Sequence, residues 1–513
     1  MRVPLAKVCL LIILLSVNAT SIFKSATRSL QSTGTMRIWV DYDDSDKEWL
    51  TNGLRIKYIF TKKIMERTKV YYSTVLIVKS PKAQYTWPDT QVSDTKTVKG
   101  RTVAYDLWTY FSCYYKDDDI FASAEPFAYD SDTGRAIVGY VEVNLNAISV
   151  STAELLNSMS IFVHEFYHIL VFNSDLFPKF IDASGNPVGV SNLVGNFGTT
   201  IKGTTRQAYK GANVLAFART FLNYPSLTGV VLENDGGDGS AGSHWEHMYW
   251  STDFMSPTAT VPSALSELSL SMALDSGWFT INKDYIQPLE YGKNAGADIQ
   301  TNTCPTSSIT GFCDTADEKS CSPDWMYKTT CYNDTTFSET CKFKYSDVAC
   351  SVPDGEYGTN VDPSIDNLGD NSRCLVTTVG GISKPRCAKA TCTGSTSITY
   401  TFAGGKTCTC SANSAAATCS DGTLSATCPA SIRGFCTRMD STNKCPGDCS
   451  GKGLCLGTNG SKRCFCVYGW KGVDCSTANN DETDAKLGLK TSNRSKIIWL
   501  GTIVISLIAA IFF

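Results

Sequence analysis

Histidine is scarce in this chain, with only four among 513 residues. The four form two pairs, His164 with His168 and His244 with His247, which indicates that histidine is reserved for one task. His244 lies 76 positions beyond His168. This separation excludes the compact zinc motif in which a third ligand follows within the next turn or two. A third ligand must therefore come from elsewhere in the fold.

A strong charge of either sign is also missing. The formal net charge is −3 and the isoelectric point is about 5.9, which gives no general attraction to nucleic acid or to anionic membranes. The length, with 42% hydrophobic and 19% charged residues, predicts two or three domains with hydrophobic cores. The glycine-rich run 236–242 lacks the Lys-Ser/Thr ending of a phosphate-binding loop and is interpreted as a flexible loop.

Cysteine is nearly absent before residue 304. Cys9 lies in an apolar N-terminal segment and Cys113 stands alone, whereas the other twenty of the 22 cysteines lie between Cys304 and Cys475. This distribution indicates an oxidising compartment and a C-terminal third held by disulfides. Loss of Cys9 with a signal peptide leaves an odd number, so Cys113 is predicted to be a free thiol, with an intermolecular bridge as the alternative.

The most informative stretch is residues 161–170, where His164, Glu165 and His168 form the pattern H-E-x-x-H within an apolar segment. On a helix, positions i and i+4 lie on one face, so both imidazoles can bind one zinc ion. Glu165 is then placed to act as general base on a metal-bound water. The alternative is a buried helix without a metal, but burying these three polar side chains unpaired costs several kcal/mol.

A second segment, residues 232–246, ends in Gly-Ser-His-Trp-Glu and resembles the segment that delivers the third zinc ligand in leishmanolysin-type metallopeptidases. The resemblance implies that His244 is this ligand and that His247 is a bystander. The residues Asp-Phe-Met-Ser-Pro at 253–257 resemble the methionine turn of that family, with Met255 as an apolar floor beneath the imidazoles. Glu246 and Asp253 are candidate acceptors for a ligand N–H, although surface positions are commoner for such residues.

The sequence departs from the family pattern at two kinds of position. Val171 stands where the family usually has a glycine that turns the chain after the second ligand, and a β-branched residue disfavours a left-handed turn. Either the helix ends differently here or activity is reduced. Tyr224 stands where a cysteine is common, and the short segment 20–34 has no cysteine to cap a zinc ion.

Hydrophobic periodicity predicts a catalytic region in which strands precede the zinc-binding helix. Together with the resemblance it implies an α+β fold, a metzincin-type zincin catalytic domain followed by a disulfide-rich, loop-rich C-terminal region. Loops are predicted over 173–201. The predicted strands are 36–42, 70–78, 102–109, 120–128 and 136–143, and the predicted helices are 46–66, 151–172 and 206–222.

The expected organisation of the chain follows from changes in apolar, polar and cysteine content along the sequence and from the resemblance. It comprises a signal peptide (1–19), a short segment (20–34), a catalytic region (35–303), a cysteine-rich domain (304–440), a module resembling epidermal growth factor (441–476), a polar spacer (477–496) and an apolar terminus (497–513). The apolar terminus predicts a glycolipid-anchor signal, with a retained membrane helix as the alternative. Glycosylation sequons lie at Asn333, Asn459 and Asn493.

These observations predict a zinc-dependent endopeptidase on the cell surface that cleaves extracellular or surface proteins and carries one catalytic Zn²⁺. Its expected partners are protein or peptide substrates, the membrane through a lipid anchor or a single helix, and binding partners of the cysteine-rich and growth-factor-like regions, but not nucleic acid. Val171 and the missing cysteines motivate an alternative, which is a catalytically silent adhesion or coat protein on the same scaffold.

Overall fold

The computed structural model describes residues 34–482, apart from 43–51, 94–95, 118–119, 151, 200–204, 238, 259–262, 301–303, 334, 338–340, 354–359, 412–415, 420–421, 423, 441 and 458–459. The predicted signal peptide, the apolar C-terminal segment and the sequons at Asn459 and Asn493 lie outside this range. Within it, no helix combines the length and the apolar composition needed to cross a membrane.

The helices are concentrated before residue 304. They are α1 (Asn52–Val75), α2 (Thr152–Leu170), α3 (Val190–Leu193), α4 (Ala212–Leu222), α5 (His247–Trp250), α6 (Glu267–Asp275) and α7 (Ile432–Met439).

The strands before residue 304 are β1 (Ile38–Tyr42), β2 (Leu76–Val78), β3 (Tyr85–Trp87), β4 (Thr90–Ser93), β5 (Lys96–Val98), β6 (Arg101–Val103), β7 (Leu107–Tyr114), β8 (Ala122–Tyr129), β9 (Ala136–Asn144), β10 (Val194–Thr199), β11 (Thr205–Tyr209), β12 (Val230–Val231) and β13 (Phe279–Ile281).

Those after residue 304 are β14 (Lys319–Cys321), β15 (Tyr327–Asn333), β16 (Lys342–Ala349), β17 (Ser372–Val379), β18 (Ile382–Thr393), β19 (Ser397–Thr401), β20 (Thr407–Ser411), β21 (Ala416–Cys419), β22 (Leu424–Thr427), β23 (Gly453–Leu456), β24 (Arg463–Cys466), β25 (Trp470–Lys471) and β26 (Thr477–Ala478).

The first part of the chain is built on a four-stranded sheet in the order β1-β7-β9-β8. β1, β7 and β9 run parallel, and β8 pairs antiparallel with β9. Helix α2 packs against this sheet, and Gly139 in β9 permits the close approach, because a Cβ there would lie 2.4 Å from Cγ2 of Ile169. Mixed helix and sheet in this region confirm the predicted α+β character. The sheet thus provides a rigid base for the helix that carries His164 and His168.

Two predicted elements are wrong in type. Residues 70–75 continue helix α1, and only Leu76–Val78 forms a strand. Tyr71, Tyr72 and Val75 are fully buried in the main core, so packing of this face overrides the strand propensity of the segment. Residues 205–209 form β11, and the helix predicted over 206–222 begins only at Ala212, because β11 pairs with both β10 and β12. The predicted loop region 173–201 also contains α3 and β10.

The part of the chain after residue 304 is stapled by ten disulfides, whereas Cys113 is a free cysteine. Both findings confirm the sequence-based expectation. β17 to β22 form a closed barrel around a hydrophobic cluster of its own, so this region has more regular structure than the loop-rich expectation. The last six cysteines pair as Cys445–Cys455, Cys449–Cys464 and Cys466–Cys475. The growth-factor-like assignment of this segment stays a prediction.

The segment that carries the last six cysteines, Cys445 to Cys475, is joined to the catalytic region by apolar contacts. Leu454, Leu456, Phe465 and Val467 are buried in the same hydrophobic cluster as α1 and α2. The ring centroid of Phe465 lies 5.9 Å from that of Tyr71 in an edge-to-face arrangement. This cysteine-containing segment therefore contributes side chains to the core of the catalytic region.

Replacing Phe465 by alanine is expected to lower the free energy of unfolding by about 3 kcal/mol, because it removes a buried aromatic ring and leaves a cavity. Chemical denaturation of the two proteins measures the difference. Phe121→Ala serves as the matched control, since Phe121 is 42% exposed, and its expected cost is within about 0.5 kcal/mol. Equal losses in the two variants would contradict the packing role of Phe465.

Candidate metal centre

Three of the four histidines meet at one point. His164 and His168 lie one turn apart on α2, and their Nε2 atoms are 3.0 Å apart. The Nε2 atom of His244 lies 3.1 Å from each of them. Among the described residues these three side chains form a group able to hold a metal ion. The structure thus brings together the three predicted ligands, although 76 residues separate His168 from His244.

Backbone carbonyls orient the three rings. Each Nδ1 atom lies within hydrogen-bonding distance of a carbonyl oxygen, which can only accept, so each Nδ1 carries the proton and donates. The Nε2 atoms are then unprotonated and direct their lone pairs toward one another. The Nδ1 contacts are His164 to Phe254 at 2.6 Å, His168 to Phe172 at 2.7 Å and His244 to Ser240 at 2.9 Å.

Burial favours the neutral form of these histidines. Desolvation lowers the pKa of His164 to about 3 and that of His168 to about 4, and it holds the pKa of His244 well below its usual value. Three neutral nitrogens at 3.0–3.1 Å repel one another unless a cation lies between them. Nitrogens bound to one tetrahedral zinc ion lie ~3.3 Å apart. The spacing and the donor set therefore fit zinc.

Glu165 adds a buried carboxyl group beside this cluster. Its side chain is nearly inaccessible to solvent, and burial raises its pKa to about 8. Within the described part of the chain, no group forms a hydrogen bond with this carboxyl. A buried polar group without a protein partner calls for a ligand or a water molecule. A cation on the neighbouring histidines would favour the ionised carboxylate, which is the form that accepts a proton.

Met255 and its neighbours connect the two halves of the centre. Met255 is fully buried, and its carbonyl accepts a hydrogen bond of 3.0 Å from the backbone N–H of Trp245, the residue after His244. The preceding residue, Phe254, supplies the carbonyl that orients His164. The segment predicted to be a methionine turn therefore contacts both the helix that carries His164 and the segment that carries His244.

Asp253 is buried, contrary to the commoner surface position considered for it from the sequence. Its carboxylate accepts hydrogen bonds from the Met255 N–H at 2.7 Å and from the hydroxyls of Ser266 and Ser269. Ser269 in turn accepts from the indole N–H of Trp245 at 2.7 Å. Desolvation raises the pKa of Asp253 to about 6. Asp253 thus braces the methionine turn and does not contact a histidine N–H.

Glu246 is fully buried as well, and its carboxylate accepts from the Met248 N–H at the start of α5 and from the Asn234 side chain at 3.3 Å. The surface expectation is therefore wrong for both residues. The physical reason is that each carboxylate satisfies backbone and side-chain donors of a folded-back segment. The contacts of the three ring Nδ1 atoms are with backbone carbonyls, so neither acid performs the orienting role considered for it.

Glu233 is a site residue that the sequence did not reveal. It is buried, and its carboxylate accepts from the backbone N–H groups of Asn234, Asp235 and His247. Its own N–H donates to the carbonyl of His244 at 2.9 Å. Glu233 therefore holds the base of the glycine-rich loop that carries the third histidine. Its only signal in the sequence is an acidic residue at the start of that loop.

His247 lies outside the cluster. It is fully buried, its Nδ1 atom lies 2.5 Å from the Ser256 hydroxyl, and its ring packs edge-to-face on Phe343 at 4.9 Å. Phe343 belongs to β16, so His247 contacts the cysteine-rich region. This position agrees with the prediction that His247 is a bystander.

Val171 does not require the left-handed conformation. The structure shows no positive φ at this position, and the N–H of Phe172 bonds instead to the carbonyl of Tyr167 at 3.0 Å. The side chain of Val171 is fully buried. The helix therefore ends differently, which was one of the two alternatives. This ending also turns the carbonyl of Phe172 toward His168.

Known proteins resemble this chain over its central part. A family model described as leishmanolysin matches residues 88–445. The chain is 28% identical over 197 residues to the leishmanolysin-like peptidase of Drosophila melanogaster, covering 33% of this chain and 29% of that protein. It is 27% identical over 151 residues to the leishmanolysin homolog of Crithidia fasciculata, covering 29% of this chain and 21% of that protein.

A third relative is the ciliated left-right organizer metallopeptidase of Homo sapiens, which is 29% identical over 208 residues, covering 36% of this chain and 25% of that protein. The chain thus spans less than a third of the length of these curated relatives.

Proposed function

Because the chain belongs to the leishmanolysin family of metallopeptidases, we propose that it is a zinc-dependent endopeptidase with a metzincin-type catalytic domain. The observation that carries the proposal is the convergence of three neutral Nε2 atoms, 3.0–3.1 Å apart, next to a buried carboxyl without a described partner. Paired histidines on one helix with an adjacent glutamate are the composition of a hydrolytic zinc site.

In this proposal His164, His168 and His244 hold the zinc ion through Nε2, and the carbonyls of Phe172, Phe254 and Ser240 keep the rings in the required tautomer. When bound, zinc supplies an open position for water, lowers the pKa of that water and polarises the scissile carbonyl. Glu165 accepts the proton of the attacking water at a carboxylate oxygen and then delivers it to the leaving amine nitrogen. Burial of Glu165 keeps bulk water from competing for that proton.

Extracellular or cell-surface proteins are the proposed substrates. Ten disulfides support a compartment that is oxidising, such as the outer cell surface. Attachment to the membrane by a glycolipid anchor or a single helix is part of the proposal and rests on the apolar residues 497–513 alone.

The experiment that tests this function measures the zinc content of the secreted chain, ended near residue 482, together with its hydrolysis of an unfolded protein. We expect one zinc per chain and cleavage that a chelator abolishes and added zinc restores, because the histidines of the cluster are neutral and available at pH 7. Zinc without cleavage, or a chain that binds no zinc, would instead favour the silent adhesion protein.

A further inference from the structure

A cavity of about 930 Å³ lies between the catalytic region, the cysteine-rich region and the segment that carries the last six cysteines. The lining includes Leu156 and Ser160 of α2, Ala264 near the methionine turn, Arg433 of α7 and Lys462. Its volume is within the range of about 300–1,000 Å³ that ligand pockets occupy. The cavity does not include the three histidines of the metal centre.

The charged residues that line this cavity are predominantly basic. It contains six lysine and arginine side chains but only three acidic ones. The basic residues are Lys293, Arg373, Arg433, Arg438, Lys444 and Lys462, and the acidic residues are Glu290, Asp324 and Asp448.

Two of the acidic groups are already neutralised. Arg373 forms two hydrogen bonds with Asp448, at 2.9 and 3.1 Å, and Arg438 forms two with Glu290, at 3.0 and 2.8 Å. The third, Asp324, is partly buried and accepts from the hydroxyl of Ser322. Burial raises the pKa of Asp324, which favours its neutral form. These carboxylates therefore do not balance the remaining cations.

Three cations are left without a carboxylate partner. Across the described residues, no acidic oxygen lies within ion-pair distance of Lys293, Arg433 or Lys462. Desolvation lowers the pKa of Lys462, the charge of Glu290 partly offsets this effect, and the neighbouring Arg438 lowers the pKa further. A desolvated ammonium close to a guanidinium is stabilised by an anionic ligand, because such a ligand offsets both the lost hydration and the repulsion.

The cavity borders the helix that carries His164 and His168. Leu156 and Ser160 precede His164 by eight and four residues, so they lie ~12 and ~6 Å from it along the helix axis and near the same face. At ~3.3 Å per residue, an extended peptide covers these two distances in about two and about four residues, so it can reach from the histidines to the lining of the cavity. A polypeptide is therefore a ligand long enough to contact both the metal centre and the cavity.

We propose that this cavity binds an acidic segment of the substrate polypeptide, so that the enzyme selects proteins with aspartate or glutamate about four or more residues from the cleaved bond. The inference rests on the proposed peptidase function. Complementary charge at a site away from the reacting bond adds affinity and partner selection without changing the chemical step.

The test measures binding and cleavage separately. Glu165→Gln protein loaded with zinc is titrated with two fluorescent peptides of equal length, one with four glutamates and one with glutamine at the same positions. We expect the acidic peptide to bind about tenfold more tightly at low salt, with the difference shrinking as salt is added. In active protein, the same pair should differ by about tenfold in kcat/KM, mainly through KM.

A triple variant, Lys293→Gln, Arg433→Gln and Lys462→Gln, should remove this preference while hydrolysis of the neutral peptide is retained. The matched control, Lys384→Gln, Lys389→Gln and Lys471→Gln, removes the same charge from exposed positions outside the cavity and should retain the preference.

Equal loss in both triple variants, or equal binding of the two peptides, would overturn the inference. So would a sulfated oligosaccharide that binds the cavity when the acidic peptide does not. Failure of the active protein to cleave either peptide, with acidic binding intact, would instead count against the peptidase function.

Discussion

Replacement of Glu165 by glutamine is expected to lower kcat/KM for peptide hydrolysis by about 10²- to 10⁴-fold, the contribution typical of a positioned general base. Glutamine has nearly the same shape but cannot accept the proton of the attacking water. The three histidines are untouched, so the variant should still contain one zinc per chain. Steady-state kinetics with metal analysis on the same sample measures both quantities.

Glu267→Gln provides the matched control for this change. Glu267 lies in the first turn of α6 and pairs with Lys283 near the surface, so the same chemical substitution there should leave kcat/KM within about twofold. Parent-level hydrolysis by the Glu165 variant would remove this residue from the mechanism. Loss of zinc from it would show that the carboxylate supports the metal site and not the proton transfer alone.

The second large effect is expected at His244. Alanine at this position leaves only two imidazoles, and the affinity for zinc should fall by more than about 100-fold, because changes to groups that merely support a ligand already cost 10- to 100-fold. Hydrolysis at limiting zinc should disappear in parallel. Competition for zinc with a chromophoric chelator gives the affinity directly.

His247→Gln separates ligand loss from a general effect of removing a buried histidine. His247 contacts Ser256 and Phe343 and is absent from the cluster, so its replacement should lower stability but keep zinc binding near the parent value. If zinc were lost from the His247 variant and retained by the His244 variant, His247 and not His244 would be the third ligand.

Three buried acidic residues explain how a long and glycine-rich connection can hold His244 next to His164 and His168. Glu233 and Glu246 satisfy backbone donors on both sides of the loop, and Asp253 ties the methionine turn to α6 and Trp245. Each group is buried and hydrogen-bonded, so removal of a partner would leave unsatisfied donors in a low-dielectric interior. The position of His244 therefore depends on residues that lie outside the histidine cluster.

Features that depend on spacing within one element or on composition are predictable from the sequence alone. His164 and His168 share a helix face because they are four residues apart. An odd cysteine count and the clustering of cysteines after Cys304 predicted the free thiol at Cys113 and the disulfide-rich end of the chain. The resemblance around His244 and Met255 identified the family, because those short segments are specific in composition.

Features that depend on contacts between distant segments could be read only from the folded protein. Strand-like residues 70–75 became helix because one face packs into the core, and residues 205–209 became a strand because β10 and β12 lie beside them. The carbonyls that orient the histidines, the burial of Asp253 and the basic cavity join positions far apart in the chain. Local periodicity carries no information on such contacts, since they arise only when separate elements pack together.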